Sequence, residues 1–226
     1  MYIDVNGIRL FYKDSGKGPA MILVHGNGED HRIFNETSEL LEQDYTVYAL
    51  DSRGHGKSSG GDVLGYEVMA EDVAAFIRAL KLERPLYCGF SDGGIIGLLA
   101  EIKYPRIFSK MVICGANTEP KGVKSHWLMF FTLMEKLRPD PRTRMMLNEP
   151  HITGAQLSSI SIPVLVLAGE EDLIREDQTQ YLASKIKNSY LKILPGERHG
   201  TYIVHSPKLY HAMKKFLKNS GKTTLV

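Results

Sequence analysis

The 226-residue chain has few of the residues that would commit it to a disulfide scaffold, a metal centre, a membrane span or a nucleic acid. Its two cysteines, Cys88 and Cys114, lie in apolar strand-like runs, where thiols are usually buried and reduced. Neither a disulfide nor a metal site is expected. No pair of the 8 histidines has helix-face ligand spacing beside a carboxylate in the manner of H-E-x-x-H. No cofactor is called for. The chain opens Met-Tyr-Ile-Asp-Val-Asn, without a basic region leading into an apolar core, and holds no uncharged apolar run long enough to span a bilayer. A cytoplasmic protein with no membrane partner is expected. With 28 Lys+Arg against 26 Asp+Glu, the net charge of +2 leaves no footprint for nucleic acid. There is no internal repeat, and 43% hydrophobic content suits one core, so residues 1–226 read as a single domain.

What is present centres on Leu86-Tyr-Cys-Gly-Phe-Ser91-Asp-Gly-Gly-Ile-Ile-Gly-Leu-Leu-Ala100, which reads as strand, sharp turn and helix. Gly89-Phe90-Ser91-Asp92-Gly93 has the G-x-S-x-G spacing of a nucleophile elbow. A turn this tight needs positions without a β-carbon on both sides of the serine, which Gly89 and Gly93 supply. Ser91 would stand above the sheet at a helix N-terminus, whose partial positive charge favours a developing oxyanion. A glycine-rich turn of this kind could also bind a phosphate or merely pack, so the assignment depends on the rest of the chain.

Along the chain, Asn6-Gly7 between alternating segments predicts an antiparallel hairpin over residues 2–12. Residues 14–19 read as loop. The continuous apolar runs 20–24, 46–50, 86–90, 110–114, 163–168 and 190–194 predict parallel strands buried on both faces. Helical spacing falls between them at 34–42, 66–80, 92–103 and 177–186, and a last helix runs from about Pro207 with Ser206 as its N-cap. In the loop Asp51-Ser-Arg-Gly-His-Gly-Lys-Ser-Ser59, pairing of Asp51 with Arg53 is the structural expectation, preferred over a catalytic His55. From 118 to 160 the strand-helix rhythm breaks. This insertion holds Trp127-Leu-Met-Phe-Phe-Thr-Leu-Met134, which is apolar almost all round. A cap whose underside lines an apolar pocket is the favoured reading, with Trp127 as a substrate-binding residue; core closure and a homodimer contact are the alternatives. Residues 218–226 read as a flexible tail.

Ser91, Asp172 and His199 each fall directly after a different parallel strand, in the order Ser, Asp, His. With the His25-Gly26 motif and Asp51-x-Arg-Gly-x-Gly-x-Ser58, they resemble the α/β-hydrolase family over nearly the whole chain. The resemblance implies a mostly parallel central sheet with helices on both faces, an N-terminal antiparallel hairpin and a short helical cap. It also implies Ser91 as nucleophile, His199 as base, Asp172 as the acid that orients it, and an oxyanion hole from the backbone N–H groups of Asn27 and Asp92. Glu170 and Glu171 could replace Asp172 if the loop register differs. His25 would order its loop, and His205 and His211 read as surface or packing residues.

Gly89-Phe-Ser-Asp-Gly-Gly-Ile95, Lys103-Tyr-Pro105 and Met111-Val-Ile-Cys-Gly-Ala-Asn117 further resemble the biphenyl-hydrolase-like α-amino acid ester hydrolases, the valacyclovir hydrolase type. There the acid after the nucleophile is assigned to the substrate's α-ammonium group, and Asp92 matches that position. The other reading of Asp92 is that only its N–H matters and its side chain is solvated or ion-paired. The expected function is a serine esterase acting on a small-molecule ester, as monomer or homodimer. A C–C bond hydrolase of the meta-cleavage type and a ligand-binding relative without turnover are the alternatives.

Overall fold

A computed structural model describes residues 1–60 and 62–218. Among these residues eight strands form one sheet in the order β1-β2-β4-β3-β5-β6-β7-β8. β1 (Tyr2–Val5) and β2 (Ile8–Gly16) make the N-terminal hairpin, with Asn6 and Gly7 at φ of 48° and 74°, as a tight primed turn requires. β2 extends past the sequence expectation, through residues 14–16, because Asp14, Ser15 and Gly16 pair with the neighbouring strand β4 (Thr46–Leu50). β3 (Ala20–Val24), β4, β5 (Leu86–Phe90), β6 (Met111–Cys114), β7 (Val164–Glu171) and β8 (Ser189–Arg198) run parallel.

Successive side chains of β3 enter opposite cores: Ile22 and Val24 join one buried cluster, Met21 and Leu23 the other. α2 (Tyr66–Ala79), α3 (Asp92–Lys103) and α7 (Glu176–Lys185) cover the first face. α1 (Asn35–Leu41) and α8 (Lys208–Lys218) cover the second, and the Lys208 amide donates to Ser206 Oγ, the cap expected there. β8 runs on through Pro195 and Gly196 because pairing with β7 continues to Glu171↔Arg198 around an irregularity in register. Of the tail expected at 218–226, residues 219–226 lie outside the described residues.

Residues 118–160 form α4 (Ser125–Leu137), α5 (Pro141–Asn148) and α6 (Gly154–Ser158). Met145, Ile152, Leu157 and Ile160 from the later part are buried in the first core. α4 buries none of its residues, and of the apolar run expected to roof a pocket Met134 reaches a cavity wall. The expected Asp51–Arg53 pair is replaced. Arg53 forms a buried two-point pair with Asp72 of α2, at 2.7 and 2.8 Å. Asp51 instead accepts from the His31 and Lys57 amides and bonds the His31 ring at 2.6 Å.

Candidate active site

The parallel strands end together, and each of β3, β4, β5, β7 and β8 hands over to a polar residue at its next position: His25, Asp51, Ser91, Asp172 and His199. Ser91 sits at φ 52°, ψ −114°, a conformation costly for a residue with a β-carbon. The turn tolerates it because its flanks are bare. A β-carbon on Gly89 would lie 2.2 Å from the Gly93 carbonyl oxygen, and one on Gly93 would lie 2.1 Å from that of Val24. The elbow is tied to the oxyanion loop by the Gly93 amide, which donates to the His25 carbonyl at 3.1 Å.

His199 Nε2 stands 3.1 Å from Ser91 Oγ, and its Nδ1 stands 2.6 Å from Asp172 Oδ1. Asp172 is almost wholly buried. Burial alone would raise its pKa, but the His199 bond and charge and the Ile174 and Gly169 amides outweigh it and hold the carboxyl below its ordinary range. As an anion it accepts the Nδ1 proton, which leaves the Nε2 lone pair facing the Ser91 hydroxyl. Glu170 and Glu171 are exposed: Glu170 accepts from the Gly196 amide, and Glu171 pairs with Arg198. The Asp172 register is the one that reaches the histidine.

Gly115, directly after β6, also serves this geometry. A β-carbon there would lie 2.8 Å from His199 Cε1 and 2.9 Å from Nδ1, so the imidazole rests against bare backbone at φ 57°. Phe90 also packs on it, its ring centroid 4.8 Å from that of His199.

His25 does order its loop. Its Nε2 accepts from the Ser52 amide at 2.9 Å, so Nδ1 carries the proton and donates to the Gly26 carbonyl at 2.7 Å. Burial, then the neighbouring His55, lowers its pKa to about 4 and keeps it neutral. Among the described residues the backbone N–H groups of Asn27 and Asp92 donate to no protein acceptor, as an oxyanion hole requires. The loop lies against the nucleophile: a β-carbon on Gly26 would be 3.1 Å from Ser91 Cβ.

The Asp92 side chain is neither solvated nor ion-paired. It is buried and accepts from Tyr66 Oη at 2.7 Å and Asn27 Nδ2 at 2.9 Å. Burial raises its pKa, and these two neutral donors offset part of the rise. Asn27 Nδ2 also donates to the Arg142 carbonyl, which fastens the cap to the oxyanion loop. A cavity of about 660 Å³ opens beside this contact, walled by Gly54, Leu64, Met134, Arg138, Asp140 and Arg142.

Sequence reasoning missed Glu29. Its Oε2 accepts from the Gly26 amide at 3.0 Å and would lie 2.8 Å from a β-carbon on Gly26. The carboxyl therefore stands in the oxyanion loop close to Ser91. Burial raises its pKa, with the Gly26 bond and the His199 charge opposing. Its place three residues beyond Gly26 was the available signal. Trp127 is on α4, with ring contacts to His126, Phe130 and Phe131 of its own helix, and does not join the cluster.

Residues 19–144 match the family model for the alpha/beta hydrolase fold, which spans both the elbow and the oxyanion loop. The chain belongs to the α/β-hydrolase family. Human serine hydrolase BPHL is 27% identical over 96% of this chain and 85% of its own length. The AB hydrolase superfamily protein YisY of Bacillus subtilis is 36% identical over 92% of this chain and 95% of its own. A meta-cleavage product hydrolase structure from Pseudomonas fluorescens superposes with a TM-score of 0.83 at 19% identity, covering 98% of both chains. For this α/β hydrolase, that last likeness speaks to fold alone.

Proposed function

We propose that this α/β hydrolase is a serine esterase that cleaves small carboxylic esters through an acyl-enzyme, with a preference for acyl groups carrying a free amine. The observation that carries the reading is the Asp172–His199–Ser91 relay, at 2.6 and 3.1 Å, on a strained elbow. His199 Nε2 takes the Ser91 proton as Oγ adds to the ester carbonyl, and the oxyanion settles against the Asn27 and Asp92 amides. Collapse expels the alcohol, which receives the proton from His199. Water, deprotonated in turn by His199, then releases the acid and restores Ser91.

The amine preference rests on charge. Asp92 and Glu29 put two carboxyl groups next to the acyl site, and among the described residues neither has an ion-pair partner. An ammonium entering there meets complementary charge, whereas the diketo acids used by C–C bond hydrolases meet repulsion. That disfavours the meta-cleavage alternative.

The test is hydrolysis of matched p-nitrophenyl and α-aminoacyl esters by the wild type, Ser91→Ala and Asp92→Asn. Ser91→Ala is expected to lose turnover by about 10⁴-fold or more while keeping its fold. Asp92→Asn places an amide donor opposite the Tyr66 or Asn27 donor, and is expected to lower aminoacyl turnover more than that of the uncharged ester. Full activity in Ser91→Ala would overturn the mechanism. Equal loss on both esters in Asp92→Asn would overturn the amine preference and leave the esterase reading standing.

A further inference from the structure

α4 faces the wrong way for an ordinary surface helix. Its half-buried side, toward the protein, carries Leu128, Phe131 and Glu135, and Glu135 is held there by Arg144 and the Asp140 amide. Met129, Phe130, Leu133 and Leu137 fall on the opposite side within an arc of roughly 100°. They are 71, 48, 53 and 71% exposed. A helix packing on a core for its own stability would invert this pattern. Trp127 and Met134, 39 and 40% exposed, extend the patch along one flank.

Cations border it. Lys136 and Arg138 are exposed at the C-terminal end, as is Lys121 ahead of the helix, and among the described residues none of the three makes an ion pair. Of the acids nearby, Glu135 is paired with Arg144 and Asp140 with Arg142, while exposed Glu119 makes no ion pair among the described residues and stands two positions before Lys121. The patch is therefore apolar at its centre and positive at its C-terminal end.

A second copy of the chain fits this surface poorly. At roughly 200 Å² per large side chain, the six exposed fractions amount to about 600 Å², short of the about 800 Å² each partner contributes to a stable pair. An antiparallel crossing of two α4 helices would also bring Lys136 and Arg138 of one copy toward Lys121 of the other. Like charges would then approach one another.

We infer that α4 is an interfacial helix, which lies flat on an anionic lipid surface with Met129, Phe130, Leu133 and Leu137 in the acyl boundary and Lys121, Lys136 and Arg138 among the headgroups. Large apolar and aromatic residues on one face with lysine and arginine beside them is the composition such helices require. The absence of a membrane-spanning run in the sequence does not bear on this, because the helix would lie on the bilayer and not cross it. α4 joins the wall of the cavity beside the Asn27–Arg142 contact through Met134, on the flank of the patch.

Trp127 is the only tryptophan in the chain and sits on this helix, so the unmodified protein reports on the patch. Its emission should be followed as the protein is titrated with phosphatidylcholine vesicles with and without phosphatidylglycerol, at low and high salt. A blue shift with the anionic vesicles alone, reversed by salt, is expected. Lys136→Gln with Arg138→Gln should weaken binding about tenfold or more, and Leu133→Gln by a similar factor. No shift with either vesicle, or an equal shift with both, would overturn the inference. So would a shift that follows protein concentration without lipid, accompanied by a dimer in sedimentation velocity. Circular dichroism of each variant separates weakened docking from loss of fold.

Discussion

Glu29 and Asp92 show how one carboxyl can act in two states. Asp92 is buried and Glu29 half-buried, each has its pKa raised by burial, and each is held by neutral donors only. As an anion such a group attracts an ammonium; once protonated it has no such preference. A raised pKa moves this change upward, so the preference for aminoacyl over uncharged esters should fade as pH drops, beginning above the ordinary carboxylate range. The ratio of kcat/KM for the two esters, measured against pH, checks the direction. Glu29→Gln should lower that ratio about tenfold at neutral pH and flatten its pH dependence, with the uncharged ester changing less. An unchanged ratio would confine Glu29 to bracing the Gly26 amide.

At the scale of elements, the site depends on two loops meeting without side chains between them. Gly93 is the tightest point, because a β-carbon there would meet the backbone oxygens of Val24 and His25 at 2.1 and 2.9 Å. Backbone at the end of a central strand cannot yield cheaply. Gly93→Ala should cost about 3 kcal/mol or more in denaturant unfolding, and should lower ester turnover about 100-fold by displacing the oxyanion loop. Gly94→Ala meets the side chains of Ala116 and Ile113 at 2.9 and 3.2 Å and should cost about 1 kcal/mol. Equal effects from the two would show that the elbow does not fix the loop.

The same contrast explains what could be read from sequence. Parallel strands buried on both faces announce themselves as apolar runs, and the residues just past them were therefore placed correctly: Ser91, Asp172 and His199 converge as their spacing implied. Contacts across the sheet leave no local trace. Nothing near Gly115 signals that an imidazole 84 positions away rests on it, and nothing near Arg53 names Asp72 over Asp51. Nor could the apolar run in α4 reveal its inward side, because helical periodicity fixes relative positions on a helix and not which of them face the core.

The whole molecule keeps a neutral histidine beneath its site, and its stability should record that. His25 titrates at about 4 in the fold against an ordinary 6.5, because burial and then His55 penalise its cation. Between those two values the unfolded chain takes up a proton that the folded chain refuses. Stability is complete above 6.5 and falls as pH drops toward 4, by about 3 kcal/mol in all. Asp172, with its pKa lowered, adds a further loss only below its ordinary 3.8. Glu29 and Asp92 act in the opposite sense, since raised carboxyls relieve their cost as pH falls. His25→Asn removes the largest downward contribution in this range and leaves Glu29, Asp92 and Glu101 acting upward, while the lowered carboxyls of Asp30, Glu71, Glu135, Asp140, Asp177 and Glu197 lose their contribution mainly below their ordinary 3.8 or 4.5, so urea unfolding from pH 7 to 4.5 should give opposite trends. The wild type should lose stability steadily. The variant starts lower at pH 7 by about 1–3 kcal/mol, for the bonds to Ser52 and Gly26, and should then hold level or gain. Parallel slopes in the two proteins would mean that His25 is not the group that makes this fold acid-sensitive.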